Sequence, residues 1–507
     1  MAAALFLGAF LFHAFGTWAF SLTYQDESRF AEATREMRER NDWIVPRFNG
    51  QFRFDKPPLA YWCQAAAMAL FGETEFAARL PSIASAAILA VVIFLFGARL
   101  TNLEAGFWAA IMFSTNLVAM VEAKAATADM LLTLFMTLAF WAGWELIRGQ
   151  DGSSQAASLN CSSRREEAQI SSSRGTEPPH VGCYKRVTWW LLFYLSLALA
   201  FLAKGPIGWT PLLALAIFRW WAKPAALRSA FRVELGLPLT LGLIALWGVS
   251  AFTRTHGEYL RVGIGGHVLA RMTTGFDGHG AANLWTYLLG LPIYLLVLAV
   301  SFAGWSFWFP WAFTKLRAEK FGGASERYLL AGIVIIFAVF TLSRTRLPHY
   351  TLPAYPLVAL LFTRIWETNG RSFRPFKPVA AGIAVIAVAA SLAAMWFVPR
   401  MAPGKDLARQ CAPFLRPGSA FGIVDLDQSS LIWYFRQRVS DCAHSLKPDE
   451  AAAFMAEPGP RFCVMPRAVA QEKFPSMPEG WRRVDSADDR YYVGANEKLS
   501  ITVLIKP

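Results

Sequence analysis

Long charge-poor runs alternate with polar connectors along most of this chain. The runs fall at about 4–20, 80–98, 105–121, 128–147, 188–203, 206–220, 234–252, 287–310, 328–343, 351–366 and 378–398. Each approaches the roughly 20 residues an α-helix needs to cross a bilayer. Their recurrence predicts a polytopic all-α membrane protein with about eleven transmembrane helices. The first run lacks a basic flank and a persuasive A-x-A site and many spans follow it, so it reads as a retained helix. After Pro399 the pattern becomes that of a soluble domain. "SAFGIVDL", "RFCVMP", "RYYVGA" and "SITVLIKP" read as strands, "SSLIWYFRQR" and "DEAAAFMAE" as helices, which predicts a small α/β domain over 399–507.

Charge places these elements across the membrane. Arg99, the stretch from Arg148 to Arg186, the group Arg219, Lys223, Arg228 and Arg232, the group Lys315 to Arg327 and the group Arg364 to Lys377 lie in alternate connectors, which the excess of basic residues marks as cytoplasmic. The intervening connectors and the tail then face outward. The net charge of +13 follows from this topology and from anionic headgroups rather than from nucleic acid, and the chain has neither a P-loop nor a G-x-G-x-x-G turn. Residues 148–187, rich in Ser, Gly and charge, read as a disordered cytoplasmic linker. Cys161 and Cys183 fall in that linker, where thiols stay reduced. Cys411, Cys442 and Cys463 lie in the outer tail, where spacing allows one disulfide without naming its pair.

The outer connector 21–79 carries the densest chemistry. "DESRFAEATREMRER" puts Phe30, Ala33, Thr34 and Met37 on one stripe and pairs Glu36 with Arg40 at i, i+4, which predicts an amphipathic helix at the membrane surface. Asp26 and Glu27 open that helix, where an N-cap role would be favourable on its own. Two acids with Arg29 at the mouth of a span are nevertheless costly unless used. In "FDKPPLAYW", Pro57 and Pro58 stop any preceding helix and start the next, holding Asp55 and Lys56 on a stiff approach.

The remaining candidates also sit at outer span ends. They are Asp129 in "EAKAATADM" with Lys124 nearby, Lys204 in "AKGPIG", and Arg344, Arg346, His349 and Tyr350 in "SRTRLPHYTLPAYP". The outer segment 253–286 is Gly-rich and reads as a mobile loop. It carries Arg261, Arg271, His256, His267 and His279, and these His lack the close spacing of a metal site.

"DESRFAEATREM", "DWIVPRFNG", "FDKPPLAYW", "LFGETEFAARLPS", "EAKAATADMLLTLFM", "AKGP" and "RLPHYTLPAYP" together resemble the bacterial polyprenyl-phosphate-dependent glycosyltransferases related to aminoarabinose transferase and to protein mannosyltransferases. The resemblance runs in order over roughly residues 20 to 360. It implies a GT-C fold, with residues 1–398 as the catalytic membrane domain. It also implies transfer of a sugar from a polyprenyl-phosphate co-substrate to an envelope lipid, a glycan or a protein, at the periplasmic face of a bacterial inner membrane and with inversion.

By position, Asp26 matches the family's acid that opens the first outer loop, the general base or acceptor-orienting carboxylate, with Glu27 assisting. Lys56 matches the phosphate-contacting lysine. Asp55 stands where the family usually has Glu. Asp129 matches a second acidic position, and Arg271 resembles the basic residue preceding the family's mobile loop. Arg29, Lys204, Arg344, Arg346 and Tyr350 are expected at the donor phosphate, with His349 as an accessory group. No tightly bound cofactor and no metal requirement are expected, and a monomer is. The rival class, a lipid-sugar transporter, calls for charged or helix-breaking residues near the midplane, whereas here they gather at outer helix ends.

Overall fold

The computed structural model of the chain describes residues 1–22, 25–159, 179–222, 227–270, 284–401, 404–426, 428–486, 490–492 and 497–507. Eight helices lead from the amino terminus through the segments that build the site. They are α1 (Ala2–Ala14), α2 (Gln25–Arg40), α3 (Leu59–Phe71), α4 (Glu75–Leu100), α5 (Leu103–Ser114), α6 (Leu117–Ala123), α7 (Asp129–Leu159) and α8 (Pro179–Lys204).

Six helices among the described residues are long and apolar enough to cross a membrane, or up to eight if each of two bent pairs is one span. The bent pairs are α5 with α6, at 67°, and Tyr287–Ser301 with Ser306–Ala318, at 120°. Apolar runs in the sequence therefore outnumber full-length helices. Run 4–20 becomes the 13-residue α1, and runs 206–220 and 351–366 each begin as a 3-10 turn before a short α-helix. Of the stretch 148–187 read as unstructured, α7 extends to Leu159 and α8 begins at Pro179, since a helix once formed propagates into polar residues. Residues 160–178, and with them Cys161, lie outside the described residues.

The core between the membrane helices is aromatic and close-packed. Tyr328 packs against Phe140, Trp144 and Phe218 and donates its hydroxyl to the Phe140 carbonyl at 2.9 Å. α4 and α5 approach so closely at Gly106 that an added Cβ would lie 2.3 Å from the Phe94 carbonyl oxygen, so glycine is required there.

The outer layer fixes the site. Strands β1 (Arg47–Phe48) and β2 (Gln51–Phe52) pair as a hairpin around Asn49-Gly50, both with positive φ (53° and 77°), the conformation this dipeptide favours. Pro58 caps α3, as expected from the Pro-Pro stop. The carboxy-terminal sheet has strands β3 (Ala420–Val424), β4 (His444–Leu446), β5 (Arg461–Pro466), β6 (Arg482–Asp485) and β9 (Ile501–Lys506) in the order β4-β3-β5-β9-β6. β3 runs parallel to β4 and β5, and β9 is antiparallel to β5 and β6. Strands β7 (Arg490–Tyr492) and β8 (Glu497–Leu499) form a separate ladder. Cys411, Cys442 and Cys463 are free thiols.

This domain docks on α2 through helix Ser429–Arg436. The hydroxyls of Ser28 and Ser429 lie 2.7 Å apart, and Ser429 also donates to the Gln25 carbonyl at 3.1 Å. Tyr434 accepts from the Leu22 amide and donates to Glu75, while Arg436 meets Glu32 and Glu39. The start of α2, where Asp26 sits, is thus held by the carboxy-terminal segment as well as by the membrane helices.

Candidate active site

Two groups of charged side chains meet at one end of the membrane helices. The first lies on the connector between α1 and α4. The β1–β2 hairpin ends with the Arg53 amide donating to the Pro46 carbonyl at 2.8 Å, which turns Arg53, Asp55 and Lys56 toward the first turn of α2. Arg53 donates from Nε to the Tyr61 hydroxyl at 3.0 Å and from Nη2 to Asp55 at 3.1 Å, and Nη2 lies 4.0 Å from the Asp26 carboxylate. Lys56 donates to the other Asp55 oxygen at 2.7 Å. The Tyr259 hydroxyl donates to the Lys56 carbonyl at 2.6 Å and fixes the backbone there. Burial works against the charge of Arg53, yet Tyr61, Asp55 and Asp26 more than offset it, so its pKa lies above the ordinary guanidinium value.

The second group joins helix ends. Asp129 begins α7 and Lys204 ends α8, and the Lys204 ammonium donates to the Asp129 carboxylate. That ammonium also lies 5.2 Å from the centre of the Tyr350 ring. His349 Nδ1 is 3.6 Å from Glu122 Oε1, and Thr127 donates to the other Glu122 oxygen at 3.1 Å. Burial pushes the His349 imidazole down to about 4, with nearby Asp129 and Asp26 opposing that shift and Lys204 and Lys56 adding to it. Asp26 and Lys56 from the first group therefore lie close enough to bias the charge of His349 in the second, and the two groups are neighbours. Asp26 keeps 43% of its side chain exposed, whereas Asp129 keeps 8%.

Other candidates are engaged elsewhere. Glu27 accepts from Arg79 Nε and Nη2 at 2.8 and 3.0 Å and from the Ala126 amide at 3.0 Å, so its carboxylate is closed inside the protein. Arg79 also donates to the carbonyls of Thr17, Phe20 and Ser21, tying α4 to the exit of α1. Lys124 donates to the carbonyls of Phe12, His13 and Phe15, at the carboxyl end of α1, rather than to Asp129. Arg346 spends Nε and Nη1 on the carbonyls of Thr341 and Tyr287 and stacks over the Tyr287 ring at 4.5 Å. Arg344 is exposed and Arg29 half-buried beside Asp26. Of the segment 253–286 read as a mobile loop, the described part is helical from Tyr259 to Ala270, anchored where Tyr259 packs on Phe54 and Trp247. Arg271 and His279 lie outside the described residues. Among the described residues no group of three or more His, Cys, Asp or Glu is placed to hold a metal ion.

Four residues of the site were not singled out by sequence: Arg53, Tyr61, Glu122 and Tyr259. Glu122 lies in the quoted "EAKAATAD", and Arg53 stands two residues before Asp55, the spacing that puts both on one side of an extended chain. Nothing local marks Tyr61 or Tyr259.

Known proteins share this fold. The family model described as dolichyl-phosphate-mannose-protein mannosyltransferase matches residues 55–155. The crystal structure of ArnT from Cupriavidus metallidurans superposes with a TM-score of 0.75 in the apo state and 0.72 bound to undecaprenyl phosphate. Each comparison covers 99% of this chain and 97% of that one, at 18% and 19% identity. The fold is GT-C. Among curated relatives, the undecaprenyl phosphate-alpha-4-amino-4-deoxy-L-arabinose arabinosyl transferase of Edwardsiella ictaluri is 27% identical over 69% of this chain and 57% of its own length. The enzyme of the same name from Pseudomonas paraeruginosa is 26% identical over 72% and 60%. The matched part of this chain spans less than two thirds of either relative. Within the GT-C fold, the site occupies the ends of the membrane helices, beside the start of α2 on which the carboxy-terminal helix Ser429–Arg436 packs.

Proposed function

We propose that this protein is an integral-membrane glycosyltransferase. It moves a sugar from a polyprenyl-phosphate donor to an envelope lipid or glycan at the outer, periplasmic face of a bacterial inner membrane. The observation that carries the reading is the convergence of a part-exposed carboxylate, Asp26, with Lys56 and the Lys204–Asp129 pair at one end of the apolar helices. The names of the curated relatives and the undecaprenyl phosphate bound to ArnT support the donor class.

In this reaction an acceptor hydroxyl oxygen attacks the anomeric carbon from the side opposite the phosphate. The new C–O bond forms as the bond to the phosphate oxygen breaks, the hydroxyl proton passes to Asp26, and the electron pair leaves on the phosphate. One displacement inverts the anomeric centre. Lys56 and Arg29 offset the charge gathering on the leaving phosphate. Lys204 and Tyr350 border the same space, Arg344 and Arg346 serve the donor lipid further out, and Arg271 is assigned to the donor lipid by the family resemblance alone. Asp129 holds Lys204 in place, Glu27 holds the start of α2 through Arg79, and His349, neutral through burial, stands beside Glu122 as an accessory group. A protein hydroxyl as acceptor is the second reading, favoured by the mannosyltransferase family match.

The test is mass spectrometry of purified protein incubated with a panel of polyprenyl-phosphate sugars and an envelope extract, comparing wild type with Asp26→Asn. Release of free polyprenyl phosphate that depends on Asp26 is expected. Folded wild-type protein that consumes no donor in the presence of the extract would refute the assignment.

A further inference from the structure

We infer that Arg53 is the positioning residue for the proposed base, acting on the acceptor only through Asp26. This rests on the reading of Asp26 given above. Asp26 lies in the open first turn of α2, where a short carboxylate has several rotamers and can turn back to cap its own helix. A base has to be held within hydrogen-bond reach of the hydroxyl it serves, and displacement by about 1 Å can cost on the order of a hundredfold in rate.

Arg53 supplies the constraint that the helix turn lacks. Its plane is fixed by the Tyr61 hydroxyl on Nε and Asp55 on Nη2, and by the Phe30 ring 5.4 Å from its centre. Phe30 is itself stacked on Tyr61 at 5.0 Å. The side chain is 10% exposed, so the guanidinium is locked while the carboxylate it faces at 4.0 Å stays open to solvent. Asp55 meets Arg53 and Lys56 through different oxygens, so it keeps Lys56 in place when Arg53 is replaced and the loss falls on the base. The planar fork of Arg53 hydrogen-bonds Tyr61 and Asp55 and so fixes its charge 4.0 Å from Asp26.

The experiment measures kcat and donor KM for wild type, Arg53→Gln, Arg53→Lys, Asp26→Asn and the double variant Asp26→Asn/Arg53→Gln, with undecaprenyl-phosphate affinity and thermal unfolding recorded for each. Arg53→Gln is expected to lower kcat on the order of a hundredfold, the scale of a misplaced base, with donor KM and undecaprenyl-phosphate affinity unchanged. Arg53→Lys keeps the charge and should recover part of that loss. In the Asp26→Asn background Arg53→Gln should cost nothing further, because there is no longer a base to position. A raised donor KM with unchanged kcat would make Arg53 a donor-binding residue, and an undiminished loss in the Asp26→Asn background would show that it acts independently of Asp26. Either result overturns the inference. Failure of the underlying reading looks different, because wild type itself would then turn over no donor. Should Arg53→Gln unfold, Arg53→Lys alone decides: kcat equal to wild type would refute the role.

Discussion

Lys204 and Asp129, 75 positions apart, bind one another where α8 ends and α7 begins. The pair joins two membrane helices at neighbouring ends, and both side chains are largely shielded from solvent. A buried ion pair of this kind is far more sensitive to loss of one partner than to loss of both.

Lys204→Met should therefore destabilise the protein by about 3 kcal/mol, because it leaves Asp129 buried and uncompensated. Adding Asp129→Asn should restore most of that stability. Thermal unfolding of the two single variants and the double variant in detergent measures the coupling, and simply additive losses would show that the pair does not form.

Lys56→Ala should weaken binding of undecaprenyl phosphate as well as turnover, since it removes a charge-assisted partner of the phosphate. Asp55 would keep Arg53, so the outer loop should stay folded. Titration of the lipid against both proteins is the check, and equal affinities would move Lys56 to a structural role.

Glu27→Gln should act on stability. Its carboxylate receives Arg79 through two hydrogen bonds, and Arg79 also holds three carbonyls after α1. Neutralising it leaves a buried guanidinium without its counter-charge, a loss of about 3 kcal/mol, while activity per folded molecule stays close to wild type. A variant with native unfolding temperature and abolished turnover would instead place Glu27 in the chemistry.

His349 predicts an acid-side dependence of stability. Burial lowers its pKa from 6.5 to about 4, so between those values the unfolded chain binds a proton that the folded protein does not. Stability should then fall as pH drops through this window, and His349→Gln should lose that contribution. Unfolding temperatures of wild type and His349→Gln at pH 7 and pH 5 test it. A parallel decline in the two proteins would show that His349 does not contribute.

Much of this was legible in the chain. The apolar runs fixed the helical membrane character, Pro57 and Pro58 fixed the start of α3, and the alternation after Pro399 anticipated strands 420–424, 461–466 and 501–506 with helices 429–436 and 451–456. These features are local, set by periodicity and by backbone chemistry within a few residues. The acids Asp26 and Asp129 and the cations Lys56 and Lys204 were visible for a related reason: charge at the end of an apolar run is costly unless it is used.

Which acid meets which cation was decided by the tertiary structure. Lys124 is one turn from Asp129 in sequence yet goes to the carbonyls after α1, and Lys204 takes its place. Glu27, adjacent to Asp26, is carried inward to Arg79 on α4, and Arg53 comes to face Asp26 through the Asn49-Gly50 hairpin. Sequence spacing reports neighbours only within a turn or a strand. Pairings over tens of residues follow from how helices pack, so the chain announced the charges of the site and the fold assigned their partners.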